Sequence, residues 1–372
     1  LQGDPNVKKI SNHITKKVAD KLAEIFKNDR PQFEKKWDDL KLFVEYGMMT
    51  DDKFYDKSKE FFLYKNVDDK YFSIEEYEKL VKENQTDKDG TTIYLYATNK
   101  TEQFKFIEDV KNKAYDVLIF DGAFDMPFIN MYETKIEKTR FVRVDADTAD
   151  NIIRKDDNKS LSIAKEDQDD LNVAYEAAAP TSVGTYFVQF RELGADELPV
   201  VVTQSEYMRR MKDIGLMGGP EVSLYNNLPD NYNLVVNTTH PVTKQIIEEK
   251  NNELSEEIKK LKDKVAAIQK DIDAIDELTK DKKEEEISTE EKEKKEKLRT
   301  NLHDAENEVS KIIKEWAVKN KLMKQAIDLA LLAKNLLKEA SVITDKRSVD
   351  AVLSLNLVTK DNIMVFVEQL PM

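Results

Sequence analysis

The chain has 372 residues, of which 35% are charged and 40% hydrophobic, with a formal net charge of −14. That length favours two or three domains over one, and the apolar share is enough to bury real cores. The negative field opposes general binding to nucleic acid or anionic membrane, and the absence of cysteine excludes a disulfide scaffold, a thiolate nucleophile and cysteine-ligated zinc.

No apolar run reaches the roughly 18 to 20 residues that span a bilayer, and no charged-then-apolar leader opens the chain. A cytoplasmic protein is expected. Leu1 enters directly into patterned sequence, so the start reads as a boundary inside a larger protein.

Asp4 and Pro5 predict a helix start, with Asp4 as N-cap and Pro5 at the first helical position. Ile10, Ile14, Val18, Leu22 and Ile25-Phe26 then recur at helical spacing. Asn28-Asp29-Arg30-Pro31 breaks that helix. A second one is expected to carry Phe33, Trp37, Leu40, Phe43 and Val44 on one face and to end at Gly47. Phe54, Phe61, Phe62 and Leu63 suggest a third. Ser73 with Glu76 forms a capping box for a short helix over 73–81.

The character changes at Gly90. Residues 91–96 read as a strand, 101–113 as a helix and 117–120 as a short apolar strand. Strand, helix and strand at this spacing form a βαβ unit with parallel strands. A helix over 124–131 and a strand over 139–144 follow. The polar stretch 145–170 is where the domain boundary is expected, giving domains of 1–150 and 151–372.

A helix over 166–179 stops at Pro180. Strands over 185–193 and 199–203 are expected to pair. Residues 205–214 form an amphipathic helix, followed by a loop of Gly215, Gly218, Gly219 and Pro220. Leu234-Val235-Val236 is another strand, stopped before His240-Pro241. From Ile247 to Trp316 the periodic signal is strong. Leu254, Ile258, Leu261, Val265, Ile268, Ile272 and Ile275 alternate steps of four and three, and Leu298, Leu302, Ala305, Val309, Ile312 and Trp316 resume the alternation after a polar break. Ser288 and Glu291 cap the second arm. Two seams joined by a short break predict an antiparallel helical hairpin. Beyond it, Leu322, Ala326, Leu329, Ala333 and Leu336 form one stripe, and Met323, Ile327 and Ala330 another. So wide an apolar arc must be buried on more than one side, in a helical bundle or across a dimer interface. The expected class is multidomain α+β.

Taken in order, these segments resemble the heat-shock protein 90 chaperone family, of the bacterial high-temperature protein G type. The resemblance rests on Leu1-Gln2-Gly3-Asp4-Pro5 with Ile14-Thr15-Lys16-Lys17-Val18, on Trp37 to Gly47, and on Thr92 to Ala97. It continues through Phe187 to Thr203, Asn237-Thr238-Thr239-His240-Pro241 and Asp328 to Ala333. It implies the back of the family's middle domain followed by a C-terminal dimerisation domain, with 247–316 as a coiled-coil hairpin insertion. It implies an ATP-driven chaperone that works as a homodimer on non-native client proteins, without nucleic-acid or membrane partners.

By the same resemblance the ATPase domain precedes this chain. No cofactor is expected for the fragment, only ATP and magnesium for the parent, and Gln2 would assist the γ-phosphate loop there. Met126, Phe128 and Asn130 match a client-contacting segment, with Pro127 standing where some relatives carry a tryptophan. Tyr207, Met208, Met211 and Ile214 match a client-facing helix, for which ordinary core packing is the competing reading. Leu322, Ala326, Leu329, Ala333 and Leu336 match the dimerisation helices. The chain ends Glu368-Gln369-Leu370-Pro371-Met372, without the acidic pentapeptide that recruits eukaryotic co-chaperones.

Asp121 and Asp125 flank a strand end where α/β folds often hold ligands, although helix capping accounts for such carboxylates more simply. No metal site is expected, because His240 lacks partners at ligand spacing. A structural coiled-coil protein that bridges partners is the alternative reading. An enzyme built on 90–144 ranks last, for want of a nucleophile, a glycine loop and a histidine partner.

Overall fold

The structure, a computed structural model, describes residues 5–156, 161–182, 184–217, 230–280 and 288–334. The chain divides into two units. One takes the described residues of Leu1–Asn158 and Thr203–Leu228, the other those of Lys159–Val202 and Pro229–Met372. The segment from Thr203, in the second half of the expected division, thus packs with the first unit.

In the first unit Asp29 separates α1 (Pro5–Asn28) from α2 (Arg30–Thr50) and caps the latter by accepting from Gln32 N at 3.2 Å. Contrary to expectation α2 does not stop at Gly47. It runs to Thr50, and Asp51 then caps α3 (Asp52–Ser58). Gly47 serves close approach instead: a Cβ there would lie 2.6 Å from the Phe54 ring. Phe33, Trp37 and Val44 are buried as expected, but Phe43 is 71% exposed. Neighbouring helical residues point about 100° apart, so Phe43 and Val44 do not share one narrow core face.

The third helix is shorter than its apolar residues suggested. Phe61 and Phe62 enter the core as the chain leaves α3, and Leu63 opens β1 (Leu63–Lys65), antiparallel to β2 (Tyr71–Ser73). Asn66 closes the intervening turn by accepting from Asp68 N and Lys70 N, and Asp69 adopts φ 59°. The Ser73–Glu76 capping box opens α4 (Ile74–Val81) as expected.

β3 (Thr92–Ala97) is buried throughout, at the centre of a three-stranded sheet ordered β4-β3-β5. Both β4 (Val117–Ile119) and β5 (Thr139–Arg143) run parallel to it, Leu95 facing Val117 on one side and Val142 on the other. The crossover after β3 carries α5 (Phe104–Asn112), and that after β4 carries α6 (Asp125–Glu133). The short α7 (Ala149–Ile152) follows β5. An aromatic core joins sheet and helices, with Phe62 stacked on Phe128 at 4.9 Å and Tyr77 edge-on to Tyr94 at 5.0 Å.

The second unit starts with α8 (Lys165–Ala178). Its strands β6 (Thr185–Arg191), β7 (Val200–Thr203) and β8 (Asn231–Asn237) form a sheet ordered β6-β8-β7. The expected pairing of 185–193 with 199–203 is therefore corrected, because β8 lies between them and runs parallel to β6. Leu234, Val235 and Val236 are fully buried. A strand apolar on both faces takes the central place, and the more exposed β6 takes the edge. Between β7 and β8 in sequence comes α9 (Glu206–Met217), which belongs to the first unit; Gly215 lies inside it, and Gly218 to Pro220 are outside the described residues.

His240 opens α10 (Pro241–Thr279), its Nδ1 accepting from Val242 N at 3.1 Å, and a Ser288–Glu291 capping box opens α11 (Thr289–Lys319). Glu249 meets Asn320 at 2.9 Å, Glu253 meets Trp316 at 3.1 Å, and Asp276 pairs with Lys295. Partners thus advance along α10 as they retreat along α11. At the base of α10, Lys250 is buried between Asp167 at 2.8 Å and Asp170 at 2.7 Å. Finally α12 (Lys321–Ala333) buries both of its apolar stripes, Leu322, Ala326 and Leu329 as well as Met323, Ile327 and Ala330, among Leu171, Tyr175 and Trp316. Among the described residues no helix is long and apolar enough to cross a membrane.

Candidate functional site

The segments around Met126 and Tyr207, singled out separately in the sequence, meet in the structure. Their junction is built by α9, on which Glu206, Arg209 and Arg210 stand at i, i+3 and i+4 and so share a face. Glu206 Oε1 accepts from Tyr96 OH, Arg209 Nη2 and Arg210 Nε, each at 2.7 Å, while its Oε2 lies 3.2 Å from Arg143 N. Arg209 also donates to Tyr96 OH, and its guanidinium lies over the Tyr96 ring at 5.7 Å.

Arg210 reaches further, donating to Asn130 Oδ1 at 3.2 Å, Glu133 Oε2 at 2.5 Å and the Phe141 carbonyl at 2.7 Å. Glu133 in turn accepts from Phe141 N at 2.6 Å. One arginine thus joins α9, α6 and β5. Burial pushes the Glu206 carboxyl up, but the charges of Arg209 and Arg210 and the Tyr96 hydrogen bond outweigh it, and the group sits below the usual carboxylate range. Burial and then the Glu206 charge push the Tyr96 phenol up, so it stays protonated and donates.

Around this polar junction lie the expected contact residues. Tyr207 is 69% exposed. Met208, Met211, Met126 and Asn130 are half-buried. The Met126 sulfur lies 3.6 Å from Tyr96 OH and 3.8 Å from Arg209 Nη1. Phe128 is corrected: it is fully buried between Phe62 and Tyr132, so it is core and not surface. Ile214 lies on α9, but its side chain is outside the described residues, as are Gln2 and Leu336. Leu322, Ala326 and Leu329 are core of the second unit within a single chain, and Ala333 is half-buried.

Tyr96, Glu133, Arg143, Glu206, Arg209 and Arg210 were not anticipated. The spacing of Glu206 with Arg209 and Arg210 is a readable signal of a charged helix face, but nothing local in the sequence names the acceptors on α6. Asp125 does not cap α6, whose N-cap Phe124 has no side-chain hydrogen bond; it is the first residue of the helix and closes the preceding turn by accepting from Gly122 N at 2.7 Å. His240 caps α10, its Nδ1 accepting from Val242 N. Among the described residues no group of three or more His, Cys, Asp or Glu is placed to hold a metal ion.

A family profile described as Hsp90 protein matches residues 1–268. The chaperone protein HtpG of Bacteroides thetaiotaomicron is 44% identical over 355 residues, covering 95% of this chain and 52% of that protein. The HtpG of Porphyromonas gingivalis strain ATCC 33277 is 43% identical over 338 residues, 91% of this chain and 49% of its own length. That of Clostridium acetobutylicum is 26% identical over 177 residues, 43% of this chain and 27% of its own. The chain spans about half the length of the HtpG proteins of Bacteroides thetaiotaomicron and Porphyromonas gingivalis.

Proposed function

The chain belongs to the Hsp90 protein family, and from that premise we propose that it is the client-holding and pairing part of an ATP-driven cytoplasmic molecular chaperone. The observation that carries the proposal is the meeting of α6 and α9, which sets Met126, Tyr207, Met208 and Met211 around one polar junction. Methionine side chains adapt to varied apolar partners, and the arginine–carboxylate frame beneath them holds the helix that presents them. Non-native proteins with exposed apolar segments are the ligand class this surface suits. Slower aggregation of a denaturing protein in the presence of the chain, lost when Tyr207, Met208 and Met211 are all replaced by serine, tests it.

ATP and magnesium are proposed for the parent protein only, with Gln2 serving its γ-phosphate loop, and the chain itself is proposed to have no ATPase activity. We read α10 and α11 as arms of an antiparallel coiled-coil hairpin inserted in the pairing half. A homodimer is proposed, with pairing centred on the stripe of Leu322, Ala326, Leu329, Ala333 and Leu336. Because the first three are buried in one chain, their part is to support the pairing face from beneath. Sedimentation over a concentration series tests the pairing. A purely bridging scaffold is not favoured, since the likeness to HtpG runs over 355 residues and not over the long helices alone.

A further inference from the structure

Met126 on α6 is half-buried, and its sulfur faces two hydrogen-bond donors. Tyr96 OH lies 3.6 Å away, and Arg209 Nη1 on α9 lies 3.8 Å away. The Tyr96 proton goes to Glu206 Oε1 at 2.7 Å, so the guanidinium is the donor that bears on the sulfur. Arg209 is 7% exposed. A thioether accepts only weakly, so a buried cation is set here against a poor acceptor.

Oxidation turns that poor acceptor into a strong one. A sulfoxide oxygen lies about 1.5 Å from its sulfur, and an N–H···O bond from a charged donor is about 2.8 Å long. With sulfur and nitrogen 3.8 Å apart, these two lengths close a triangle with an angle of about 120° at the oxygen, where its lone pairs point. The sulfoxide thus fits the present spacing of Met126 and Arg209. Partial exposure gives a molecule the size of a peroxide access to the sulfur. Met48 and Met323, at 1% and 0% exposed, are sealed in their cores.

We propose that Met126 is a modification site, oxidised by hydroperoxides to the sulfoxide, whose oxygen is then held by Arg209 and fastens α6 to α9. With hydrogen peroxide the sulfur lone pair attacks one oxygen and the O–O bond breaks. The sulfur is oxidised by two electrons, the peroxide is reduced, and its other oxygen leaves as water with both protons. The added contact crosses the junction that Arg210 already spans, so it stabilises α9 where it stands. This does not rest on the client-holding reading, since neither the modification nor its effect on α9 requires a client.

The test is brief exposure of the whole chain to hydrogen peroxide, with mass spectrometry of its peptides to locate sulfoxides and hydrogen exchange to read α9. Met126 should be oxidised while Met48 and Met323 stay intact. Exchange at the amides of residues 209–211 should slow about tenfold, as one added hydrogen bond to a charged group implies, with no change at 93–96. Methionine sulfoxide reductase should restore the original rates. Met208 and Met211 are also half-buried and should oxidise too, so Met126→Leu is the control: treated alike, it should show no slowing. Met126→Gln carries an amide oxygen at similar reach and should slow exchange with no oxidant. Met126 left unoxidised, α9 exchange unchanged or faster after oxidation, or equal slowing in Met126→Leu would each overturn the proposal.

Discussion

Arg210 on α9 donates to Asn130 on α6 at 3.2 Å, across 80 residues of sequence. The same guanidinium also binds Glu133 and the Phe141 carbonyl, so one side chain of α9 ties it to both α6 and β5 by charge-assisted hydrogen bonds.

Replacing Arg210 by alanine takes from Glu133 its arginine partner and leaves Glu206 with Arg209, Tyr96 OH and Arg143 N. Removing one member of a partly buried ion pair costs about 3 kcal/mol. The loss should be local, loosening α9 while the β4-β3-β5 sheet holds. Hydrogen exchange should speed up at the amides of residues 206–211 and stay unchanged at 93–96. Arg210→Lys should restore little, because lysine lacks the fork that reaches Glu206, Asn130, Glu133 and the Phe141 carbonyl together. Unchanged exchange on α9 in Arg210→Ala would refute the latch.

His240 gives a pH dependence with a definite sign. Its Nδ1 accepts from Val242 N, which requires the neutral ring, and burial lowers its pKa below the ordinary 6.5. The folded chain therefore binds this proton less readily than the unfolded one. The stability it contributes is whole above about pH 6.5 and is lost as pH falls from there through the folded value. Urea unfolding at pH 7.5 and pH 5 should show a steeper loss for the unaltered chain than for His240→Asn, which caps without titrating. Equal losses would show that the cap does not titrate with the fold.

Leu329 is 4% exposed within a single chain. Leu329→Asp places a carboxylate among Leu171, Tyr175 and Trp316, a change that costs upwards of about 3 kcal/mol. Circular dichroism should show helix loss in this variant, and any loss of pairing in sedimentation should come with it. A fully helical, fully folded Leu329→Asp monomer would mean that the residue faces a partner copy and not its own core.

What the sequence disclosed was local. Both capping boxes, Ser73–Glu76 and Ser288–Glu291, lie within four residues and were legible. So was the parallel pairing of β3 with β4, which follows from one intervening helix. The place of β8 between β6 and β7 was not, because it depends on which strand is buried on both faces. Phe43 was misplaced for a related reason, since adjacent apolar residues in a helix do not say which of them faces the core. Phe128 was placed by resemblance to a client-contacting segment, and a matched segment does not say which of its side chains turns inward. At the site, α6 and α9 were each legible as segments of interest through Met126, Asn130, Tyr207, Met208 and Met211. Their junction was not, since the acceptors for Arg210 lie some 70 to 80 residues away.

The account stands on α9 presenting Tyr207, Met208 and Met211 to non-native protein. Light scattering from a thermally denaturing protein, recorded with increasing amounts of the chain, measures this directly. Dose-dependent suppression is expected, lost in the triple serine variant while its circular dichroism stays unchanged. Suppression undiminished in that folded variant, or none by the unaltered chain, would contradict it.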